Sequence, residues 1–348
     1  MGVSVADWRA AIAQFVAEHS AASAVDIADI HQLGGGAIQE NYGLDVRIRG
    51  GAFAGRHAWV LRSDAQSRVA ASHSRAQEFA LMQVAHDAGV LAPQPLWLCA
   101  DPGLIGRPFY LMQQLAGTAA ARDVVRGDWT DAQRNGLARR LGQELARIHR
   151  IRPPQPLLSN LPEPGIAPAR SRVQQYRQWL DRLPDAHPVL EWGLRWLDRN
   201  ATEADTVVLC HSDYRTGNYL VINGELSGIL DWEFASWGDR YEDLAWFCAR
   251  CWRFGAWQFE AGGIADREPF YEGYVDESGL QIDPEHVAYW EVMAAVRWSV
   301  IALQQAQRHC SGEQVSLELA LTGRIVPEME LDILQSIERI AARVQDCA

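Results

Sequence analysis

The sequence predicts an α+β fold with two lobes, a small β-rich N-terminal lobe and a larger, mainly helical C-terminal lobe. Two observations carry this prediction. Short β-like runs and turns alternate over residues 27–112, with one helical pattern among them, whereas beyond Gly117 most apolar residues recur at helical spacing. We therefore expect an N-terminal lobe over residues 1–112, a hinge over residues 113–118 and a C-terminal lobe over residues 119–348.

The N-terminal lobe is expected to hold a leading helix and a five-stranded sheet that one further helix interrupts. The leading helix is indicated by apolar side chains on one helical face, at Trp8, Ile12, Phe15 and Val16. Residues 42–48 and 58–61 are typical of strands. Residues 74–88 are typical of a helix, which Gly89 ends.

One β-hairpin is expected inside the otherwise helical C-terminal lobe. Apolar runs over residues 219–222 and 227–230 flank the dipeptide Asn223-Gly224, which favours the tight turns of hairpins. A further short apolar run covers residues 207–210. The hairpin should bring the residues just before it and just after it to one place.

The composition excludes several classes of chemistry. The chain has 348 residues and a net charge of −12, and all 32 of its basic residues are arginine. Without lysine, neither a Schiff base with pyridoxal phosphate or a carbonyl substrate nor a Walker A phosphate loop can form. An acidic chain without a run of basic residues is also a poor partner for nucleic acid or for an anionic membrane. We expect neither partner.

Targeting and cysteine signals are weak. The first residues lack the basic and apolar blocks of a signal peptide, and no apolar run is long enough to span a membrane, which together predict a cytoplasmic protein.

Cys248 and Cys251 form a C-x-x-C pair with no second pair of ligands. We interpret them as packed helix residues, and a redox or metal site is the alternative.

The most informative segment joins a histidine, an aspartate and an asparagine to a later aspartate. His211, Asp213 and Asn218 form the pattern H-x-D-x-x-x-x-N, and Asp231 follows thirteen residues after Asn218, beyond the hairpin. Phosphoryl transfer needs such residues: a carboxylate that orients the acceptor hydroxyl and takes its proton, and oxygen ligands for Mg²⁺. We expect Asp213 to be the catalytic base, Asn218 and Asp231 to be the metal ligands, and His211 to support the loop.

These motifs resemble those of the aminoglycoside phosphotransferase (choline-kinase-like) family, small-molecule relatives of protein kinases. The resemblance covers residues 33–247 and implies a protein-kinase-like two-lobed fold that binds ATP with Mg²⁺ in its cleft. In the segment from Gly238 to Ala245, which looks like the family's segment after the metal-binding aspartate, Asp243 is expected to anchor the catalytic loop.

The resemblance also implies the nucleotide-binding residues. Arg62 ends the third strand, where the family places a basic residue for the α- and β-phosphates, and Glu78 on the following helix would pair with it. Arg215 lies two residues after Asp213, where a fixed cation would stabilise the transition state; the alternative is a simple salt bridge to a nearby carboxylate.

Two further nucleotide contacts are expected from position. The glycine triplet Gly34, Gly35 and Gly36 would form the turn that covers the phosphates, although it does not match G-x-G-x-x-G. The backbone groups of Gln113 and Leu115, in the hinge, would meet adenine. GTP in place of ATP stays open, as does a homodimer.

The acceptor is expected to be a hydroxyl group of a small molecule. Three features look similar to the subgroup of the family that is associated with acyl-CoA dehydrogenases: the Leu-Arg end of the third strand, Arg215, and the sequence Asp231-Trp232-Glu233. Some members of this kinase subgroup phosphorylate hydroxyacyl-CoA thioesters. For such an acceptor, Arg297 or Arg170 would meet the phosphates of coenzyme A.

Three alternatives stay in view. An aminoglycoside or other antibiotic kinase would use an acidic pocket for a polycationic sugar, and the acidic stretch between Glu268 and Glu285 offers one. A pseudokinase would bind a nucleotide without catalysis. A metal hydrolase built on His211, Asp213 and Asp231 would leave the position of Asn218 and the β-rich N-terminal lobe unexplained.

Overall fold

The structure is a computed structural model that describes residues 5–34, 39–64, 72–164 and 167–346. Its strands, numbered in chain order, are β1 Ala24–Gln32, β2 Gln39–Arg49, β3 Gly55–Asp64, β4 Pro95–Cys99, β5 Phe109–Gln113, β6 Val208–Cys210, β7 Tyr219–Ile222, β8 Glu225–Ile229 and β9 Ser236–Gly238. Its α-helices are α1 Val5–Ser20, α2 Arg75–Asp87, α3 Ala121–Arg126, α4 Asp131–His149, α5 Pro168–Leu180, α6 Pro188–Arg199, α7 Arg240–Cys248, α8 Arg267–Ser278, α9 Pro284–Cys310, α10 Leu317–Thr322 and α11 Val326–Asp346.

The chain divides into two compact units, and both are discontinuous in sequence. Unit 1 comprises Met1–Val124, Gln155–Asn160 and Gly217–Ala235. Unit 2 comprises Val125–Pro154, Leu161–Thr216 and Ser236–Ala348. The predicted hairpin therefore belongs to the unit that contains the N-terminal sheet, although it lies more than a hundred residues further along the chain.

Unit 1 is built on a five-stranded antiparallel sheet with the strand order β1-β2-β3-β5-β4, which confirms the predicted sheet. The predicted face of α1 is buried in its core, at Trp8, Ile12, Phe15 and Val16. Within the sheet, Arg62 lies in β3 opposite Tyr110 of β5.

Two elements of unit 1 that the sequence predicted are defined by short-range contacts. Ser74 caps α2 by accepting a hydrogen bond from the backbone N–H of Gln77, whose side chain in turn accepts from the Ser74 backbone N–H. Asn223 and Gly224 have φ angles of 53° and 83°, as a type I′ turn between β7 and β8 requires. Both the helix and the hairpin are therefore confirmed.

Unit 2 is mainly helical. Helix α8 packs along α4, and α9 packs against α7 and α11. The short antiparallel pair of β6 and β9 is its strand element among the described residues, and β6 leads into the segment that starts at His211. None of the described helices is both long enough and apolar enough to cross a membrane.

Candidate active site

The segment after β6 is held by a buried carboxylate. The side chain of Asp243, on α7, accepts hydrogen bonds from the backbone N–H groups of His211 at 2.6 Å and Ser212 at 2.8 Å. Ser212 has a φ of 61°, a backbone conformation that non-glycine residues rarely adopt without such support. The predicted anchoring role of Asp243 is confirmed.

Asp243 also contacts a buried histidine. His149 Nε2 lies 3.2 Å from Asp243 Oδ2, and His149 Nδ1 lies 2.9 Å from the hydroxyl of Tyr274. Burial raises the pKa of Asp243, but the hydrogen bond and charge of His149 outweigh it and hold this pKa below its usual value. Cys210 completes a cluster with metal-ligand spacing, yet burial raises its thiol pKa well above the usual value. We interpret the cluster as support for the loop.

Two side chains of unit 2 donate hydrogen bonds to the carboxylate of Asp213. The Nε atom of Arg215 lies 3.1 Å and 3.0 Å from the two carboxylate oxygens, and the indole N–H of Trp246 donates to Oδ1 at 3.0 Å. The guanidinium of Arg215 stacks over Trp252, with 4.4 Å between its carbon and the ring centroid. Arg215 thus forms a salt bridge with the expected catalytic base itself.

A second arginine contacts the backbone of the same loop. Arg297, on α9, donates to the backbone carbonyl of Ser212 and lies 3.6 Å from Glu242. The other oxygen of Glu242 lies 2.9 Å from Arg172. Because the side chain of Arg297 is 11% exposed and already engaged, it is a poor candidate for coenzyme A phosphates. Arg170, which pairs with Asp198, is half-exposed.

Unit 1 contains a buried arginine that contacts two carboxylates. The Nη2 atom of Arg62 lies 2.8 Å from Glu78 Oε1 and 2.5 Å from Asp231 Oδ1. Burial by itself lowers the pKa of Arg62, but the charges of Glu78 and Asp231 raise it well above its usual value. The Nε atom of Arg62 is buried and finds no hydrogen-bond acceptor among the described residues. The expected Arg62–Glu78 pair is therefore present.

Glu78 is shared with an arginine that the sequence did not indicate. Arg75, one turn earlier on α2, donates to Glu78 Oε2, and its Nε atom lies 3.0 Å from Asp64 at the end of β3. Its side chain is 1% exposed. The only available signal was the i,i+3 spacing of Arg75 and Glu78, and such pairs also occur on solvated helix surfaces.

The hairpin brings the two expected metal ligands together. The backbone N–H of Leu230 donates to the carbonyl of Asn218 at 2.8 Å, so the residue before Asp231 is paired with Asn218 itself. Asp231 has a φ of 68°, again unusual for a residue with a side chain. A side-chain amide oxygen and a carboxylate suit Mg²⁺, which prefers oxygen ligands.

The structure describes some, but not all, of the remaining residues that are expected to contact the nucleotide. Gly34 lies in a bend after β1, whereas Gly35 and Gly36 fall outside the described residues. The backbone N–H of Gln113 donates to the Gln94 carbonyl at 2.9 Å, so this N–H is engaged within unit 1. Leu115 covers Gly228 of β8 so closely that a Cβ there would lie 2.3 Å from Leu115 Cδ1. Roles for these residues in nucleotide binding stay predictions.

The acidic stretch faces other arginines of unit 2. Three of its carboxylates on α8 pair with Arg139 and Arg147 of α4 and with Arg150, which directly follows α4, in the pairs Glu272–Arg139, Asp276–Arg139, Glu277–Arg147 and Glu277–Arg150. Asp283 and Glu285 lie at the start of α9, where Asp283 accepts a hydrogen bond from the Glu285 backbone N–H. Three of the six carboxylates between Glu268 and Glu285 are thus accounted for by ion pairs with arginines of unit 2.

The chain is similar to a known family and to several known proteins. Residues 29–290 match the model of the phosphotransferase enzyme family (APH). Acyl-CoA dehydrogenase family member 10 of Mus musculus is 26% identical over 197 residues, which are 56% of this chain and 18% of that protein. Acyl-CoA dehydrogenase family member 11 of Pongo abelii is 24% identical over 306 residues, which are 83% of this chain and 38% of that protein. The chain thus spans less than two fifths of these relatives.

Solved structures show the same fold. A putative aminoglycoside phosphotransferase from Ralstonia eutropha has a TM-score of 0.76 at 19% identity, over 95% of this chain and 98% of that one. An ethanolamine kinase of Plasmodium vivax has a TM-score of 0.59 at 11% identity, over 89% of this chain and 81% of that one. The predicted kinase-like α+β fold is confirmed, as is the resemblance to the subgroup associated with acyl-CoA dehydrogenases. Since the family model covers most of its length, the chain belongs to the phosphotransferase enzyme family.

Proposed function

We propose that the chain is an ATP- and Mg²⁺-dependent phosphotransferase that moves the γ-phosphoryl group to a hydroxyl group of a small molecule. The observation that carries the proposal is the contact of Arg62 with both Glu78 and Asp231. A cation at the end of β3, held by a helix carboxylate and next to an expected metal ligand, is what binding of a metal-bound nucleotide requires.

Asp213 is the proposed catalytic base. Its carboxylate orients the acceptor hydroxyl and takes the hydroxyl proton as the oxygen bonds to the γ-phosphorus and the bond from that phosphorus to the departing ADP oxygen breaks. Arg215 supplies a fixed positive charge beside Asp213, because its guanidinium is held by the carboxylate and by the face of Trp252. No covalent enzyme intermediate is needed.

Asn218 and Asp231 are the proposed ligands of Mg²⁺. When bound, the ion neutralises charge on the phosphates during transfer. The chain's own contribution is to hold an amide oxygen and a carboxylate on the two ends of one hairpin, which the hydrogen bond from Leu230 to Asn218 secures. Arg62, in contact with Asp231, fixes the direction of that carboxylate.

For the acceptor, we propose a hydroxyacyl-CoA. Support comes from the matched relatives, whose names refer to acyl-CoA dehydrogenases, although those names assign no dehydrogenase reaction to a chain that spans so little of their length. An aminoglycoside is less well supported, because the carboxylates on α8 that would attract its ammonium groups pair with arginines of α4.

A screen for ADP release tests the activity and the acceptor together. Wild-type protein with Mg-ATP is offered hydroxyacyl-CoA thioesters in one arm and aminoglycosides in the other, with Asp213→Ala as the matched control. We expect release that depends on a hydroxyacyl-CoA and is lost in the variant. Turnover with aminoglycosides alone would identify an antibiotic kinase, and equal background from both proteins would leave a pseudokinase.

A further inference from the structure

One tryptophan of unit 2 contacts the carboxylate of Asp213 directly. Trp246 lies on α7, its side chain is 1% exposed, and its indole N–H donates to Asp213 Oδ1 at 3.0 Å. An indole has one donor and no acceptor, so this hydrogen bond forms only with an oxygen that offers a lone pair. The contact therefore fixes which oxygen of Asp213 points toward α7.

The same indole ring supports the residue before Asp213. The guanidinium of Arg297 lies over the ring of Trp246, with 4.1 Å between its carbon and the ring centroid, and Arg297 donates to the backbone carbonyl of Ser212. One stacked pair thus holds two consecutive residues, Ser212 by its backbone and Asp213 by its side chain.

A carboxylate needs such a donor to keep one orientation. The terminal torsion of an aspartate is broad, so the orientation of its two oxygens depends on the hydrogen bonds that they accept, which for Asp213 include those from Trp246 and Arg215. Proton transfer requires one oxygen to lie within hydrogen-bond reach of the acceptor hydroxyl, and small misplacements are costly. We infer that Trp246 is a positioning residue, which holds the Asp213 carboxylate in the orientation that receives the acceptor proton; this inference rests on the proposed function.

Two neighbouring tryptophans differ from Trp246 in the hydrogen bonding of the indole N–H. Trp252 and Trp298 belong to the same aromatic cluster, with ring centroids 4.7 Å apart, and Trp252 lies 5.2 Å from Trp246. Their indole nitrogens are buried, yet neither has a hydrogen-bond partner in the described part of the chain. Trp298 thus provides a matched control, because its replacement by phenylalanine removes the same atoms without removing a hydrogen bond.

The test compares Trp246→Phe with Trp298→Phe in the full chain. The indole N–H resonances of ¹⁵N-labelled protein are recorded first, without any ligand. We expect the Trp246 resonance, identified by its loss in Trp246→Phe, to shift in Asp213→Asn, and the Trp298 resonance to stay in place. A Trp246 resonance that does not respond to Asp213→Asn would overturn the inference before any kinetic measurement.

Steady-state kinetics with Mg-ATP and a hydroxyacyl-CoA then separate positioning from folding. We expect Trp246→Phe to lower kcat about tenfold and to leave the KM for ATP within about twofold, as the loss of one hydrogen bond to a charged group predicts. Trp298→Phe should keep both constants within about twofold. Equal kcat values in the two variants would refute the positioning role while the proposed function stands. No transfer by the wild-type protein with any acceptor would instead refute the proposed function, and with it a role for Trp246 in transfer.

Discussion

The Nη2 atom of Arg62 lies 2.5 Å from Oδ1 of Asp231, although the two residues are 169 positions apart in the chain. The same nitrogen lies 2.8 Å from Glu78. One buried cation therefore connects a strand of the N-terminal sheet, the helix after it and the residue that follows the hairpin. Arg62 and Glu78 are buried, whereas the side chain of Asp231 is 26% exposed. The orientation of both carboxylates should therefore depend on the charge of the arginine.

Arg62→Ala should weaken nucleotide use. The change removes the cation that contacts both Glu78 and Asp231 and that is proposed to bind the phosphates, so we expect the KM for ATP to rise at least about tenfold. Arg56→Ala, on the exposed part of the same strand, should leave KM within about twofold. Initial rates over a range of ATP concentrations provide the comparison. An unchanged KM in Arg62→Ala would contradict the assignment of the nucleotide site and leave that of Asp213 untouched.

Arg75→Met should mainly destabilise unit 1. The variant keeps the length of the side chain but removes a charge that faces both Glu78 and Asp64, while Arg62 still pairs with Glu78. Breaking a buried pair from one side costs up to about 3–5 kcal/mol. Urea unfolding measures the loss, with Arg122→Met at an exposed position of α3 as the control. If both variants unfold at the same urea concentration, the contacts of Arg75 do not stabilise the unit.

The hydrogen bonds accepted by the Asp243 carboxylate predict how the stability of the protein depends on pH. The pKa of Asp243 is lower in the folded protein than its usual value, so the folded state binds this proton less readily than the unfolded state. The stabilisation is complete above the ordinary aspartate pKa of about 3.9 and is lost as the pH falls through the lower folded value. Urea unfolding between about pH 5 and pH 3 should show a shallower loss of stability in Asp243→Asn than in wild type. The control variant Asp185→Asn, at an exposed position, should follow the wild type. If the unfolding free energies of all three proteins fall in parallel with pH, the hydrogen bonds of Asp243 do not cause the pH dependence.

The acidic residues of α8 should not matter for the acceptor. A double variant, Glu272→Gln with Asp276→Asn, removes two half-exposed partners of Arg139, and surface pairs of this kind are worth less than about 1 kcal/mol each. We expect phosphate transfer to stay within about twofold of the wild-type rate and the unfolding free energy to fall slightly. Loss of transfer to an aminoglycoside in this variant, with transfer to other acceptors kept, would show instead that these carboxylates bind a cationic substrate.

The sequence predicted the parts of the fold whose signals are local. The helix capped by Ser74 and the turn at Asn223 and Gly224 are specified by a few neighbouring residues. The pairing of Arg62 with Glu78 followed from a family resemblance, because its partners lie on different elements. The contacts of Arg75, Trp246 and Arg297 could not be predicted in this way: arginine and tryptophan occur on many buried and exposed surfaces, and only the folded chain shows which carboxylate or carbonyl they reach.

The most direct test of the central claim is to observe the phosphorylated product. Wild-type protein is incubated with Mg-ATP and a hydroxyacyl-CoA, and the mixture is followed by ³¹P NMR beside a sample of Asp213→Asn. We predict a new phosphate monoester resonance on the acceptor that grows in step with ADP in the wild type and is lost in the variant. Release of inorganic phosphate without a monoester, or equal monoester formation by Asp213→Asn, would contradict phosphoryl transfer assisted by Asp213.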